Sequence, residues 1–174
     1  MTMAPGLRKL ALTVHVAGSV GLLGAIAGFF ALGVAGLAGR DPALLRGIYP
    51  AMELVTWFVI VPLAVTALLT GLVQALGTPW GLIRQYWVLA KLLLTLLATL
   101  VLLLQLEPIG YLADATAEPS FAADDLLPLR LSLVWPHAGG GLLVLLATVA
   151  LSVYKPRGWT RYGWRKRHEQ RLPS

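Results

Sequence analysis

The sequence predicts an all-α membrane protein: a four-helix transmembrane bundle whose helices run alternately up and down. Hydrophobic residues make up 57% of the chain and charged residues only 13%, whereas about 25% charged residues is usual in soluble domains. Four apolar stretches are long enough to cross a bilayer, and short connections place successive helices antiparallel. We therefore expect the 174 residues to form one integral membrane domain. This composition excludes a disordered chain, a fibrous protein and a water-soluble enzyme.

The four predicted spans cover residues 10–38, 49–76, 83–106 and 131–154. Each reaches the length of about 20 residues needed to cross a hydrocarbon core of about 30 Å. Lipid offers no hydrogen-bond partner to the backbone, so these stretches are expected to be helices. The apolar run after Arg8 and Lys9 is too long for a signal-peptide core, which predicts an uncleaved first helix. Pro62 lies midway along the second span and is expected to kink it.

Basic residues are distributed unequally between the two ends of this bundle. The N-terminal arm, the turn before the third span and the tail 155–174 carry ten Lys and Arg, against three on the other side. The positive-inside rule then predicts that both termini are cytoplasmic. The loop 107–130, which carries five acids, would lie outside. We expect this outer loop to be mostly irregular, with one helical turn near residues 121–127.

The tail alternates basic and aromatic residues, a pattern typical of the lipid headgroup region. We expect it to anchor the chain to anionic headgroups of the bilayer. The chain has a net charge of +6, and half of its basic residues lie in the tail directly after an apolar span. This position favours lipid headgroups over nucleic acid as the partner of the basic residues. The predicted anchor residues are Lys155, Arg157, Trp159, Arg161, Tyr162 and Trp164.

Small residues spaced four apart in the first span favour close helix packing in lipid. The pairs are Ala17 with Gly21 and Gly24 with Gly28, and the fourth span has three consecutive glycines at 139–141. We therefore expect the first helix to pack on the fourth. A homo-oligomer or a membrane partner protein is also compatible with such surfaces.

Ionisable groups within spans are costly, so each is a candidate functional residue. Near the inner side, His15 is a candidate ligand for a metal or haem, and Lys91 is a candidate partner for an anionic group. The alternatives are a structural hydrogen bond for His15 and extension of the Lys91 ammonium to the interface. Gln74, Tyr86 and Ser152 are expected at similar depth and complete a predicted inner cluster.

A second candidate cluster is expected near the outer side. His137 and Met52 together form a ligand pair of the kind that binds haem iron. Glu53, Gln105 and Glu107 are predicted at the same level, although a carboxylate such as Glu53 is also favoured near a helix start. His15 and His137 should lie on opposite sides of the midplane, so they are not expected to bind one metal ion together.

Catalytic motifs are absent from the sequence. There is no cysteine, which excludes disulfides, thiolate metal sites and cysteine nucleophiles. No P-loop, Rossmann glycine pattern, nucleophile elbow or zincin helix is present. The sequence therefore neither predicts nor excludes enzyme activity. If the protein is an enzyme, a membrane oxidoreductase is the class that fits these residues best.

Several segments resemble one group of bacterial proteins. Residues 10–15 with the glycines that follow, 86–92, 137–141 and 154–158 resemble the helices and tail of a four-helix integral membrane family of unknown function. More distantly, His15 with Trp87 and Lys91 is similar to the copper-resistance D membrane domain and to the haem-binding protoporphyrinogen oxidase. The last likeness implies haem, with His15 as its ligand and Lys91 as the matching lysine. The family resemblance implies a multi-pass protein of the bacterial cytoplasmic membrane.

Three functional hypotheses remain from the sequence. The first is a haem- or tetrapyrrole-binding or electron-transfer module that uses His15 and Lys91. The second is a small transporter or channel component in which the Pro62 kink and the intramembrane polar residues form a path. The third is an accessory structural protein without a cofactor, whose polar residues only fix helix packing.

Overall fold

The protein is described by a computed structural model covering residues 3–77, 82, 84–118, 121–122, 124, 126–156 and 158–169, without the side chains of 166–169. In these residues the chain is helical, and its β-structure is one isolated bridge. Four helical spans are long and apolar enough to cross a membrane: Pro5–Ala38, Pro42–Gly77, Tyr86–Ala117 and Leu127–Tyr154. The predicted all-α, four-helix transmembrane fold is confirmed.

The first span is a single helix, α1 (Pro5–Ala38), of 34 residues. At 1.5 Å per residue it is about 51 Å long, well beyond the hydrocarbon core. Pro5 occupies the start of the helix. A proline has no backbone N–H, and in the first turn an N–H would have no helical acceptor in any case. The helix ends at Gly39, whose backbone turns to an extended conformation.

The second span consists of α2 (Pro42–Val55), a π-helical turn (Thr56–Ile60) and α3 (Val61–Gly77). It begins earlier than expected, because the Asp41 side chain caps the helix by accepting from the Ala43 N–H at 3.0 Å. The π-helical turn ends at Ile60, two residues before Pro62. Pro62 cannot donate to the Phe58 carbonyl and its ring crowds that group, so the wider turn accommodates the proline at the predicted kink position.

The third span contains α4 (Tyr86–Leu104) and α5 (Leu106–Ala117), which are separated at Gln105. This corrects the expectation of a mostly irregular loop over 107–130. Helix continues to Ala117 and resumes at Leu127. Between them the described residues form turns rather than the expected helical turn, with Phe121 N–H donating to Glu118 and Leu127 N–H to Asp124.

The helical structure of α5 follows from its amphipathic pattern. Ile109, Leu112, Ala113 and Thr116 are buried at helical spacing, and α5 packs against α2. The Arg46 side chain of α2 donates to the carbonyls of Thr116 and Glu118 at 3.3 and 3.4 Å, at the C-terminal end of α5. These contacts stabilise a helical extension of the third span in a segment that the sequence, because of its acidic residues, predicted to be a loop.

The fourth span consists of α6 (Leu127–Ser132), a second π-helical segment (Leu133–Gly139) and α7 (Gly140–Tyr154). It ends where Lys155 adopts the left-handed conformation, with φ of 42°, immediately before Pro156. A short helix, α8 (Arg161–Glu169), follows. Thr160 caps α8 by accepting from the Gly163 N–H at 3.1 Å.

The start of the first span, the end of the second, residues 84–85 and the described part of the tail meet at one end of the bundle, which we name the basic end. Met3 N–H donates to Gly77 O at 3.5 Å, and Thr160 N–H donates to Arg84 O at 3.0 Å. Gln85 and Trp159 form the isolated bridge. We name the opposite end, which contains α2, α5 and α6, the acidic end. The first and last described residues therefore lie at the same end, as an up-down-up-down bundle requires.

The tightest packing lies toward the acidic end. Tyr49, Leu45, Met52, Leu112 and Val134 are among the largest fully buried side chains. By contrast, Val88 is the one buried residue of α4, and α7 has none. The basic half of the bundle therefore turns most of its leucine surface outward, as a lipid-facing helix does.

The first helix packs on the fourth span, as expected, but also on α3, and not all the predicted small residues make these contacts. Gly18 and Gly21 lie against Thr66 and Leu63 of α3, whereas Gly24 and Gly28 have open space around them. The first helix does contact the fourth span, but through Gly33 against Val134 and through Gly139 against Phe30. Close approach in lipid needs small residues on the facing side only, and spacing alone does not say which helix lies on that side.

Candidate functional site

His15 lies half-buried between α1 and α3. Its Nδ1 is 3.1 Å from the Ala67 carbonyl and 3.1 Å from Thr70 Oγ1. A carbonyl only accepts, so Nδ1 carries the proton and donates. In the neutral form of the ring Nε2 holds a lone pair, and it has no hydrogen bond to the described part of the chain. Gly71 allows the approach, because a Cβ there would lie 3.1 Å from the ring Cε1.

Lys91 lies on α4, half-buried near the same end of the bundle. Its ammonium donates to Ser152 Oγ of α7 at 2.6 Å, and Ser152 donates in turn to Thr148 O at 2.7 Å. Among the described residues Lys91 forms no ion pair. It lies within electrostatic range of the His15 imidazole. Two basic groups therefore share a largely apolar region without a described carboxylate beside them.

The other predicted members of the inner cluster differ in their positions. Gln74 of α3 donates to the Ala11 carbonyl of α1 at 3.2 Å, one turn from His15. Tyr86 is 56% exposed and its backbone N–H donates to Gly158 O, so it belongs to the junction with the tail. We define the inner site as His15, Thr70, Gln74, Lys91 and Ser152.

His137 lies in the π-helical segment at the acidic end, with both ring nitrogens engaged. Nδ1 donates to the Ser132 carbonyl at 2.6 Å, and Nε2 accepts from the Gln105 amide at 2.9 Å. The adjacent Pro136 has no N–H to give to Ser132, its partner in a regular helix. The π-helical turn instead brings the His137 backbone N–H to this carbonyl, and the His137 ring adds a second donor. This geometry favours a structural role.

The remaining residues of the predicted outer cluster do not assemble around His137. Met52 is 1% exposed and its methyl group lies beside Gly33 in the core. Glu53 lies at the contact of α2 with α5, with Oε1 near Gly110. Glu107 is exposed in the first turn of α5. In the described residues no group of three His, Asp or Glu side chains is arranged to hold a metal ion.

A cavity of about 260 Å³ lies in the middle of the bundle, and all four spans contribute to its wall. Apolar side chains form most of the lining, and no Asp, Glu, Lys or Arg contributes to it. Gln105 and His137 are among its lining residues. On the other side, Thr95 and Thr148 line it one helical turn from Lys91 and Ser152. The cavity therefore lies between the inner site and the Gln105–His137 pair.

Arg130 has a structural position that the sequence reasoning missed. It is only 2% exposed, and its Nε donates to the Tyr49 hydroxyl at 2.6 Å. Its Nη2 donates to the carbonyls of Gly36 and Gly39, where α1 ends. The guanidinium carbon is 5.5 Å from the Tyr49 ring centroid. A cation at a helix C-terminus is favourable, so this arginine links three elements of the acidic end.

The described part of the tail lies beside Arg84 and Gln85 at the basic end. Lys155, Trp159, Arg161, Tyr162 and Trp164 are all exposed, and Arg157 lies outside the described residues. Gly163 is buried, and a Cβ there would collide with the Arg84 backbone. The tail is thus docked on the basic end with aromatic and basic side chains outward.

No protein-family model matches the chain, and no curated protein or solved structure matches it either.

Proposed function

We propose that this multi-pass membrane protein is a binding module for an amphipathic, anionic ligand, held at the inner site by His15 and Lys91. The observation that carries the proposal is the half-buried Lys91 ammonium, which donates to Ser152 Oγ and forms no ion pair among the described residues. Buried charge is costly unless it is paired. A ligand carboxylate beside the Lys91 ammonium would provide that pairing.

Within this class, a haem or another tetrapyrrole is the ligand that the donor chemistry fits. The His15 ring in its neutral form would offer Nε2 as a ligand to the iron, and Lys91 would offer an ammonium to a propionate. Bound haem iron would supply one-electron redox chemistry. The protein's own part is to hold His15 in one tautomer through Ala67 and to keep the Lys91 ammonium near Ser152. The central cavity is smaller than the roughly 300–1,000 Å³ of typical cofactor pockets, so it is not the site proposed for the tetrapyrrole.

Two other functions have less support. A transporter needs a polar path, whereas the buried core fills the acidic end of the described bundle. An accessory structural role explains His137, Met52 and Arg130, which all fix packing. It does not explain the half-buried Lys91 ammonium, which forms no ion pair among the described residues, or His15 Nε2, which has no hydrogen bond among them.

The location that we propose is the bacterial cytoplasmic membrane, with both termini inside. The charge asymmetry of ten basic residues against three supports this orientation. We also propose that the exposed aromatic and basic side chains of the tail bind anionic lipid headgroups.

The test is an absorption spectrum of protein purified from cells supplied with a haem precursor, recorded oxidised and then reduced. We expect a Soret band in the wild type that is lost in His15→Ala and weakened in Lys91→Met. His137→Gln is the matched control and should keep the band, because both nitrogens of that ring are already engaged. A colourless wild type, or a band that survives His15→Ala, would refute the tetrapyrrole proposal.

The broader proposal of an anionic amphipathic ligand has its own test. Laurate, a fatty acid, is offered to the purified protein, with lauryl alcohol as the uncharged comparison. We expect laurate to bind more tightly than the alcohol, and Lys91→Met to abolish that preference. Equal binding of both compounds would contradict a role for Lys91 in pairing with a carboxylate.

A further inference from the structure

The central cavity is a second candidate site, independent of the inner site. Neither His15 nor Lys91 lines it. Its wall contains the hydroxyls of Thr95, Thr99 and Thr148, but each of them donates to a carbonyl of its own helix at 2.8 Å. With these hydroxyls engaged and no charged residue in the lining, the cavity favours a neutral, mostly apolar occupant.

The volume limits the size of that occupant. An engineered apolar cavity of about 150 Å³ holds a benzene molecule. The cavity here is about 260 Å³ and is therefore large enough for a second fused ring. Leu97 lines the cavity and is 57% exposed, so the wall at this residue is also part of the lipid-facing surface. An apolar molecule dissolved in the bilayer has access from that side.

The polar part of the site is Gln105. One amide N–H of Gln105 donates to His137 Nε2 at 2.9 Å. His137 is held in turn by its bond to Ser132, so the ring fixes the orientation of the amide. The second N–H and the carbonyl oxygen Oε1 have no hydrogen bond to the described residues. Gln105 therefore presents one donor and one acceptor at the end of an apolar cavity.

We propose that this cavity binds a neutral, flat molecule of two fused rings that carries a hydroxyl or carbonyl group, with Gln105 as its hydrogen-bond partner. A ring hydroxyl donates to Oε1, and a ring carbonyl accepts from the free amide N–H. Membrane-soluble quinols and quinones of the naphthalene type belong to this chemical class. The rest of the cavity selects by size, because its lining is mostly apolar and apolar contacts have no hydrogen-bond direction.

The first experiment compares binding of 1-naphthol and naphthalene to the purified protein by isothermal titration in the same detergent. We expect both compounds to bind, with 1-naphthol tighter by roughly three- to tenfold, the range for one neutral hydrogen bond. In Gln105→Met, which keeps the side-chain length, the two affinities should become equal. A preference for 1-naphthol that survives Gln105→Met would overturn the role of Gln105.

The second experiment fills the cavity. Gly141 lines it, and a Cβ there would meet only Ile26 at an ordinary 4.0 Å, so Gly141→Leu has room to fold. Binding of both compounds should be lost in this variant. Gly24→Leu is the matched control, because Gly24 is exposed, has open space around it and does not line the cavity. Equal binding by the two leucine variants would overturn the site.

Both experiments are separate from the proposed tetrapyrrole function. His15→Ala should bind 1-naphthol as the wild type does, and Gly141→Leu should keep any Soret band. A loss of 1-naphthol binding in His15→Ala would contradict two independent sites. Thermal unfolding of every variant confirms that it is folded before its binding is compared.

Discussion

At the residue scale, Arg130 and His137 illustrate how polar side chains stabilise backbone groups that lack a regular partner. Arg130 donates to carbonyls at the end of α1, and His137 donates to a carbonyl near Pro136. An unpaired carbonyl in an apolar region costs on the order of 1–3 kcal/mol. Both side chains are therefore explained by the backbone around them.

Replacing Arg130 by Met should lower the free energy of unfolding by about 2–4 kcal/mol, because the Tyr49 hydroxyl and the α1 carbonyls lose their donor. Thermal or denaturant unfolding in detergent measures the change. Arg40→Met is the control, since Arg40 is exposed, and we expect a change within about 0.5 kcal/mol there. Equal losses in the two variants would contradict a special role for Arg130.

A double-mutant cycle of Pro136 and His137 tests whether the ring substitutes for the missing N–H. His137→Ala alone should cost about 1–2 kcal/mol. In a Pro136→Ala background the backbone again has an N–H for Ser132, so the same substitution should cost less. The expected coupling is about 1 kcal/mol. Strictly additive effects would show that the ring and the proline act independently.

At the element scale, proline and amphipathicity decide where the helices depart from a simple hydropathy profile. The two π-helical segments lie beside or around Pro62 and Pro136. The apolar face of α5 extends the third span beyond its predicted end, because α2 covers that face. Hydropathy averages over both faces of a helix, and so it misses an extension of this kind.

The docking of α8 depends on one small residue. In Gly163→Leu the added side chain should collide with the Arg84 backbone and release the tail from the basic end. Limited trypsin digestion should then cleave faster after Arg161 and Arg165, with little change in bundle stability. Tyr162→Leu is the neighbouring control, because Tyr162 is 45% exposed and its replacement meets no backbone. Unchanged digestion of Gly163→Leu would mean that the tail is held in another way.

At the scale of the whole molecule, the position of charges at the two ends predicts the orientation in the membrane. The chain has no cysteine, so a single introduced cysteine can be labelled without background. Cysteines at Asp114 and Arg165, both exposed, lie at the acidic and basic ends. In intact cells an impermeant maleimide should label the first and leave the second unlabelled. Labelling of both positions from one side would refute the four-span topology with both termini inside.

Part of the candidate site could also be predicted from the sequence. Depth along a helix placed His15, Lys91, Gln74 and Ser152 near one end, because rise per residue is nearly constant. Their partners could not be predicted in this way. Whether a histidine keeps a free nitrogen depends on the neighbouring helix, as the contrast between His15 and His137 demonstrates.

By itself, the sequence determined the fold class, the four spans and the asymmetry of charge between the two ends. These properties follow from local composition, because each span must satisfy its own backbone in lipid. Only the tertiary structure decided that α1 packs closely on α3, that Arg130 is buried, and that a cavity lies among all four spans. These features depend on contacts between residues far apart in the chain, whose geometry no local pattern contains.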